Sequence, residues 1–351
     1  MRKLASIVVV DDIIPIDKAD AIELARIAGW QCVVKKGEFN VGDRAIYLEI
    51  DAIPPDTAAF RWLWQPKPKR DDNGVVVEAA IVARPSSFRI RTMKLRGALS
   101  QGLLLPTKAY GVDDDVDSVV GTDVSERLGV TKYEPPAPSG MGGFRAPFPG
   151  FVPKTDETRV QAVPAVLDEL RGLPWVATLK CDGTSATFVL VDGALHCCSR
   201  NQSVVDDGTS FYWSIARGLK IDEALRTSPT YAVQGEIVGP GIQKNPLGLA
   251  EKALRVFSIF DVATARYLSD AAMRAWCAVH GLVPVPVVHS GDAFDETVTS
   301  VLAMAEGLYE GTKNEREGIV IRPRDGELTS TVLGGRLSFK AISNRFLLAE
   351  P

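Results

Sequence analysis

Residues 134–153 read Glu-Pro-Pro-Ala-Pro-Ser-Gly-Met-Gly-Gly-Phe-Arg-Ala-Pro-Phe-Pro-Gly-Phe-Val-Pro. Each proline fixes its own φ and lacks an N–H, so this density of Pro and Gly excludes a helix or a central strand and predicts a linker. It divides the 351-residue chain into a first region, 1–133, and a last region, 154–351. Each is long enough to enclose its own hydrophobic core.

The first region alternates short β-like runs with turn signals at Gly37, Gly42 and Gly74. Strands are expected at Ala5–Val10, Trp30–Val34, Arg44–Ile50, Val75–Ile81, Phe88–Met93 and Gly102–Pro106, with apolar residues at helical spacing over Ala19–Ala28. Several short strands and one small helix suit a small barrel. The segment Val33-Val-Lys-Lys-Gly-Glu-Phe-Asn-Val-Gly-Asp-Arg-Ala-Ile-Tyr-Leu-Glu-Ile-Asp resembles OB-type nucleic-acid-binding barrels.

In the last region an amphipathic helix is expected near Val160–Arg171. Strands follow at Trp175–Lys180, Ser185–Val191, around His196, and at Tyr231–Ile237, Arg255–Val262, Gly318–Arg322 and Arg336–Ile342. Helices are expected at Ser269–His280 and Thr297–Leu308. Strand-rich sequence without regular β-α alternation reads as α+β.

Composition narrows the setting. Charged residues make up 24% and hydrophobic residues 46%, ordinary for a globular chain, and no apolar run approaches membrane length. Five cysteines without a C-x-x-C pair and three scattered histidines give no zinc or disulfide pattern, so a reducing cytoplasm is the expected compartment. The net charge of −4 argues against indiscriminate coating of nucleic acid. Yet 79–112 contains no acid while carrying Arg84, Arg89, Arg91, Lys94, Arg96 and Lys108. This is either a solvated strand face or a local cationic grip. Trp62 and Trp64, interleaved with Arg61, Lys67, Lys69 and Arg70, suit base stacking, or one of the two plugs the barrel.

The chemistry concentrates at Thr178-Leu-Lys-Cys-Asp-Gly-Thr-Ser185. A strand-end lysine followed by Asp182 and Gly183 can present an amine to a phosphate, with the glycine allowing close backbone approach. Alone it is also how a surface lysine before an Asp-Gly turn would look, and at average composition K-x-D-G arises in about one chain in ten of this length. Further segments follow in order. They are Ser199-Arg-Asn201, Val233-Gln-Gly-Glu-Ile-Val-Gly-Pro-Gly-Ile-Gln-Lys-Asn-Pro246, Val256-Phe-Ser-Ile-Phe-Asp-Val262, Glu317-Gly-Ile-Val-Ile-Arg322 and Leu337-Ser-Phe-Lys-Ala-Ile342.

This ordered series resembles the nucleotidyltransferase motifs of ATP-dependent ligases and mRNA capping enzymes. With a barrel in front, the whole chain resembles RNA ligases of the Deinococcus–Naegleria type. The fold implied is an OB-like barrel followed by a ligase-type nucleotidyltransferase domain of antiparallel sheets with flanking helices. The resemblance implies an enzyme that joins RNA 3′-OH and 5′-phosphate ends at nicks in duplexes, through AMP carried on Lys180. Lys180 would attack the α-phosphorus of ATP, which requires cations to lower its pKa, and Arg200, Lys340 and a divalent metal would supply them. Asp182, Glu236 and Glu317 would converge and hold Mg²⁺ or Mn²⁺, mainly through its waters. Gly183 would lie against the nucleotide, and Phe260 would stack on adenine unless it is an ordinary core ring. Arg200 would contact ribose or the receiving phosphate, and Lys340 the α-phosphate. Lys154 and Arg159 are weaker candidates for the β- and γ-phosphates.

One departure stands out. The last motif of the family carries two lysines flanking one residue, whereas here Ser338 occupies the first place; Arg336 or Lys313 are candidate substitutes. Eleven residues follow Lys340, leaving no room for the C-terminal OB domain of DNA ligases and capping enzymes. That favours RNA ligase over a DNA ligase or a GTP-using capping enzyme. A non-catalytic RNA-binding protein is disfavoured by the intact lysines and carboxylates. The expected partner is RNA, as nicked duplex or RNA–DNA hybrid, with no membrane and a monomeric chain.

Overall fold

The computed structural model describes residues 2–64, 69–70, 76–78, 88–112, 119–134 and 138–349. The chain forms two compact units, Met1–Pro135 and Pro136–Pro351.

The first unit is built of short strands: β1 (Ala5–Val9), β2 (Asp12–Pro15), β3 (Ile22–Ile27), β4 (Trp30–Lys35), β5 (Arg44–Leu48), β6 (Ala52–Ile53), β7 (Lys69–Arg70), β8 (Val76–Glu78), β9 (Thr92–Leu95), β10 (Ala98–Gln101), β11 (Leu103–Pro106) and β12 (Thr131–Lys132). β5 runs antiparallel between β1 and β11, and β2, β3 and β4 form a meander. Ala5, Ile7, Ile46, Leu48 and Leu105 point into a core completed by Phe60, Val112, Val124 and Val130. The helix expected over Ala19–Ala28 is instead β3, with Leu24 opposite Val33 and Ile27 opposite Trp30. Apolar residues at 22, 24, 25 and 27 fit either period over so short a window, and the hairpin partner β4 decides. The strand expected at Phe88–Met93 starts later, at Thr92. Most of the expected Val75–Ile81 strand, and Arg84 with it, lies outside the described residues.

In the second unit, β13 (Phe144–Pro147), β16 (Thr184–Val191), β17 (Ala194–Cys198), β18 (Gln202–Val204), β19 (Tyr231–Val238), β20 (Ala253–Asp261) and β21 (Arg266–Tyr267) form one sheet in the order β13-β18-β17-β16-β19-β20-β21. A second sheet has the order β14-β26-β23-β15-β22, from β14 (Thr158–Arg159), β15 (Trp175–Lys180), β22 (Val287–Gly291), β23 (Gly318–Pro323) and β26 (Phe339–Ile342). β24 (Thr329–Ser330) and β25 (Gly335–Arg336) pair with each other. The helices are α1 (Val166–Leu170), α2 (Phe211–Gly218), α3 (Ile221–Thr227), α4 (Asp270–Val279), α5 (Val298–Ala305) and α6 (Asn344–Ala349).

The expected helix at Val160–Arg171 is broken into a 3-10 turn, Val160–Ala162, and the short α1. Pro164 causes the break, because it lacks an N–H and disfavours helical geometry at Val163. α4 and α5 begin where expected, after Ser269 and Thr297, whose hydroxyls accept from backbone N–H groups three residues on. α2 and α3 fill a stretch in which the sequence reading placed nothing.

Helices cover one face of each sheet. α2, α3 and α4 bury Phe211, Tyr212, Ile215, Leu225 and Met273 against Phe188, Val233, Ile237, Val256 and Ile259 of the seven-stranded sheet. α1 and α5 bury Leu167, Leu170 and Val301 against Trp175, Ala177, Ile319 and Phe339 of the five-stranded sheet. Because side chains alternate across a strand, the opposite faces carry Thr178, Lys180, Val320 and Lys340 on one sheet and Ser185, Gln234, Glu236 and Ser258 on the other. These two polar faces meet.

The Pro/Gly-rich stretch expected to be a linker is partly built into this unit. β13 pairs antiparallel with β18 at the sheet edge, and Val152 is buried beside Val189, Ala232 and Phe260. Prolines are tolerated there because an edge strand leaves half of its N–H groups outside the ladder. Among the described residues no helix is long and apolar enough to cross a membrane.

Gly318 ties the sheet together at its most crowded point. It lies opposite Lys180, has φ +155°, and a Cβ there would sit 2.1 Å from the Ala341 carbonyl oxygen. Gly318→Ala is therefore expected to spread β23 from β26 and to cost about 1–3 kcal/mol in urea unfolding. An unchanged midpoint would contradict this reading of the β23–β26 contact.

Candidate active site

β15 ends at Lys180, and in the ladder Lys180 lies opposite Gly318, the first residue of β23. Glu317 immediately precedes that strand, so its carboxylate meets the lysine: Nζ lies 2.7 Å from Glu317 Oε2. Both side chains are mostly buried, at 24% and 16% exposure. The neighbouring sheet brings Glu236 of β19, paired with Ser185 of β16. Gly183 makes that approach possible. A Cβ there would stand 2.4 Å from the Ile237 carbonyl oxygen and 2.8 Å from Glu236 Cγ. Its requirement is thus the close packing of Glu236 rather than a tight turn.

Asp182, Glu236 and Glu317 converge on Lys180 and set its charge. Burial alone would depress the lysine pKa, yet Glu317, Glu236 and Asp182 together outweigh burial and hold it above the ordinary value. In this state Lys180 is an ammonium ion. Glu236 pays for the crowding: burial, with Glu317 and Asp182 adding repulsion against the opposing pull of Lys180, pushes its carboxyl up to about 8. Among the described residues, no three His, Cys, Asp or Glu side chains are placed to ligate one ion directly. Three acids around one ammonium nevertheless form a donor set with surplus negative charge, and a cation keeping its own waters fits such a set.

Lys340 shows the opposite shift. Burial, then Lys180 and Arg159, bring it down to about 7 against the weaker pull of Glu317 and Asp156. Arg159 is its direct neighbour because β14 runs parallel to β26 with Arg159 opposite Lys340. The segment Lys154–Arg159 runs along the cleft and contacts both sheets. Lys154 Nζ donates to Asn201 Oδ1 at 3.2 Å, Thr155 Oγ1 lies 2.9 Å from Ser185 Oγ, and Arg200 Nη2 reaches Asp156 Oδ2 at 2.6 Å. Arg200, expected to help depress the lysine pKa, is thus engaged by Asp156 at a half-exposed position.

Ser338 has its own explanation. It is buried, donates to Glu157 Oε1 at 2.7 Å and accepts from Arg322 Nε at 3.0 Å. Arg322 also reaches Glu157 Oε1 at 3.3 Å and the Phe257 carbonyl at 3.0 Å. A guanidinium therefore fills the neighbourhood of the absent lysine. Neither expected substitute fills it: Arg336 stacks over the Tyr267 ring at 3.9 Å and donates to Ser258 Oγ, while Lys313 is exposed on the loop after α5.

Phe260 is 5% exposed, packed with Val152, Val189 and Ala232 and edge-on to Tyr267 at 5.0 Å. That is the packing of a core ring. Phe257, three residues earlier, packs on the small cluster of Cys181, Val238 and Val285, which includes the residue after Lys180. Trp64 is half-buried, edge-on to Phe88 and packed on the first unit's core, whereas Trp62 is 54% exposed and donates to the Tyr110 hydroxyl. Of the two tryptophans, the plug is Trp64.

Sequence reasoning missed Tyr309. Its buried hydroxyl donates to the Lys180 carbonyl and accepts from the N–H groups of Asp182 and Glu317. A single tyrosine in the loop Gly307-Leu-Tyr-Glu-Gly-Thr carries no motif. Asp156 and Glu157 were equally silent, since their roles depend on partners more than 40 residues away.

A family model described as RNA ligase matches residues 173–342, and one for an OB-fold domain matches residues 4–107. The chain belongs to the RNA ligase family, with an OB-fold domain preceding the ligase domain. Solved structures that it resembles include those of Naegleria gruberi RNA ligase. The complex with pyrophosphate is 34% identical, with 99% of this chain and 98% of that chain covered at a TM-score of 0.85. A lysine-to-alanine variant with ATP and Mn is 34% identical, with 98% of each chain covered and a TM-score of 0.84. A glutamate-to-alanine variant with AMP and Mn is 35% identical, covering 99% and 98% at 0.84.

The Ser338 network makes a sharp prediction. Ser338→Lys, which restores the family's usual residue, would press a second cation against Arg322 and break the hydroxyl link to Glu157. It is expected to cost about 1–3 kcal/mol of stability and to lower ligase activity. A variant as stable as the parent and more active would mean that Arg322 does not fill the lysine's place.

Proposed function

We propose that the chain is an ATP-dependent ligase that seals RNA 3′-OH and 5′-phosphate ends at nicks in duplexes. Its route runs through AMP on Lys180 and then through adenylylated RNA. The observation that carries this reading is the Lys180 ammonium held 2.7 Å from Glu317 in a cleft lined by Glu236 and Asp182. A nucleophilic amine must lose a proton, and Glu317, which accepts a hydrogen bond from the ammonium, stands next to it. Asp182, Glu236 and Glu317 would hold a hydrated Mg²⁺ or Mn²⁺, whose charge favours the neutral amine.

In the first step Lys180 Nζ bonds to the α-phosphorus of ATP, the bond to the bridging oxygen breaks, and pyrophosphate leaves. Lys340 and Arg159, side by side on β26 and β14, stand where cations can neutralise phosphate charge. An arriving polyphosphate favours the protonated form of Lys340, which is poised near neutrality. In the second step a 5′-phosphate oxygen of RNA attacks the same phosphorus, and Lys180 leaves with a proton. Arg200 is paired with the half-exposed Asp156, and an RNA phosphate can compete for it. In the last step the 3′-OH attacks the 5′-phosphorus, closing the phosphodiester and releasing AMP.

The first unit would grip the duplex. The hairpin β9–β10 exposes Lys94 and Arg96, and Trp62 is exposed elsewhere on the same unit. All five cysteines are unpaired and buried, which suits a reducing cytoplasm.

Sealing of a panel of nicked duplexes, with RNA or DNA on each side of the break, tests the substrate. RNA carrying the 3′-OH should be sealed best, and equal sealing of all-DNA nicks would defeat the RNA assignment. Glu236→Ala and Glu317→Ala should each slow adenylylation by about 10²–10³; near-parental rates in either would remove that residue from the site. Lys94→Ala and Arg96→Ala should weaken duplex binding while leaving adenylylation intact, each flattening the salt dependence by about one unit of log–log slope. An unchanged slope in both would show that this hairpin does not touch phosphate.

A further inference from the structure

We infer that Tyr309 is a positioning residue for adenylyl transfer, its hydroxyl acting as the clasp that fixes Lys180, Asp182 and Glu317 relative to one another. This rests on the reading of Lys180 as the AMP carrier.

The geometry is unusual for one side chain. A phenolic hydroxyl has one proton to give and two lone pairs to receive. Here all of that capacity is used on backbone groups: it donates to the Lys180 carbonyl at 3.2 Å and accepts from Asp182 N–H at 3.0 Å and Glu317 N–H at 3.1 Å. Two of these groups belong to the segment leaving β15 and the third to the residue entering β23. The ladder between β15 and β23 reaches its end at the Lys180–Gly318 pair. Asp182 and Glu317 therefore lie just past regular pairing, where strand ends fray. The hydroxyl replaces the missing rung at the point where the reacting lysine and its carboxylate partner must hold a short contact.

Tyr309 is itself held from behind. Its N–H donates to the Asn314 carbonyl, and its own carbonyl accepts from Thr312 N–H and Thr312 Oγ1, closing the loop on itself. Asn314 Nδ2 fastens that loop to the Pro246 carbonyl at 2.7 Å. Where the loop returns toward β23, Arg316 donates to the carbonyls of Met304, Ala305 and Glu306 at the end of α5. The ring is 3% exposed, so water does not substitute for it. The clasp is thus anchored on a rigid loop, and it acts through Lys180, Asp182 and Glu317 rather than on substrate.

A positioning role predicts a step-specific loss. Lys180 forms or breaks its bond to phosphorus in the first two steps, but in the last step the reacting atoms belong to RNA. Tyr309→Phe removes only the oxygen. In single-turnover assays below its melting temperature, it should slow Lys180 adenylylation about 10- to 100-fold with little change in the ATP concentration giving half-maximal rate. Sealing of chemically pre-adenylylated nicks should fall far less. Hydrogen exchange should quicken at the amides of Asp182 and Glu317. Should the phenylalanine variant not fold, 3-fluorotyrosine placed at 309 keeps the hydroxyl while weakening it as an acceptor, and an intermediate slowing is expected. Equal losses in adenylylation and pre-adenylylated sealing, or unchanged adenylylation, would overturn the inference. If the parent protein carries no AMP on Lys180, the functional reading fails separately. Amide exchange then decides the clasp alone: faster exchange at Asp182 and Glu317 upholds it, and unchanged exchange refutes it.

Discussion

The contact between Lys180 and Glu317 is the constraint on which the rest of the second unit depends. A largely buried ion pair is a poor source of stability, because the desolvation of both groups offsets much of their attraction. Its presence together with two more carboxylates therefore points to chemistry rather than to folding. The carboxylates hold the lysine charged, and burial, with repulsion from Glu317 and Asp182, pushes Glu236 toward its neutral form. Such a site is electrostatically incomplete. It favours anything that brings positive charge to the acids and a polyphosphate to the nearby Lys340 and Arg159.

Supporting that contact requires two sheets whose outer faces are apolar and whose inner faces are polar. Strand alternation delivers this without special sequence: Trp175, Ala177, Ile319 and Phe339 turn toward α1 and α5, leaving Lys180 and Lys340 between the sheets. Crowding is relieved by glycine at two positions, Gly183 beneath Glu236 and Gly318 opposite Lys180. The segment Lys154–Arg159 then joins the faces through contacts to Ser185, Arg200, Ser338 and Arg322. The Ser338 substitution is intelligible only within this network, since Arg322 and Glu157 are its partners.

Much of this was legible in the sequence, for physical reasons that also mark the limits. Strands flanked by motif residues were placed well because their apolar alternation is strong. Lys180, Asp182, Glu236 and Glu317 could be read as a set because their order along the chain resembles a known family. What failed was local or nonlocal in instructive ways. Ile22–Ile27 fits two periodicities, and only its pairing with Trp30–Lys35 makes it a strand. Pro164 shortened a helix that apolar spacing alone extended. The Phe260 pattern fits an adenine-facing ring and a core ring alike, and Tyr309 matched no pattern although it touches both strand ends at the site. The balance between burial and the carboxylates around Lys180 is one that only the fold could set.

The central claim is that Lys180 is the covalent carrier of AMP, and peptide mapping by mass spectrometry tests it most directly. Protein incubated with ATP and Mg²⁺ or Mn²⁺ should gain the mass of one AMP, located on the peptide containing Lys180, and Lys180→Ala should show neither the gain nor sealing of 5′-phosphate nicks. An adduct on any other residue, or adduct formation by the Lys180→Ala protein, would contradict the account.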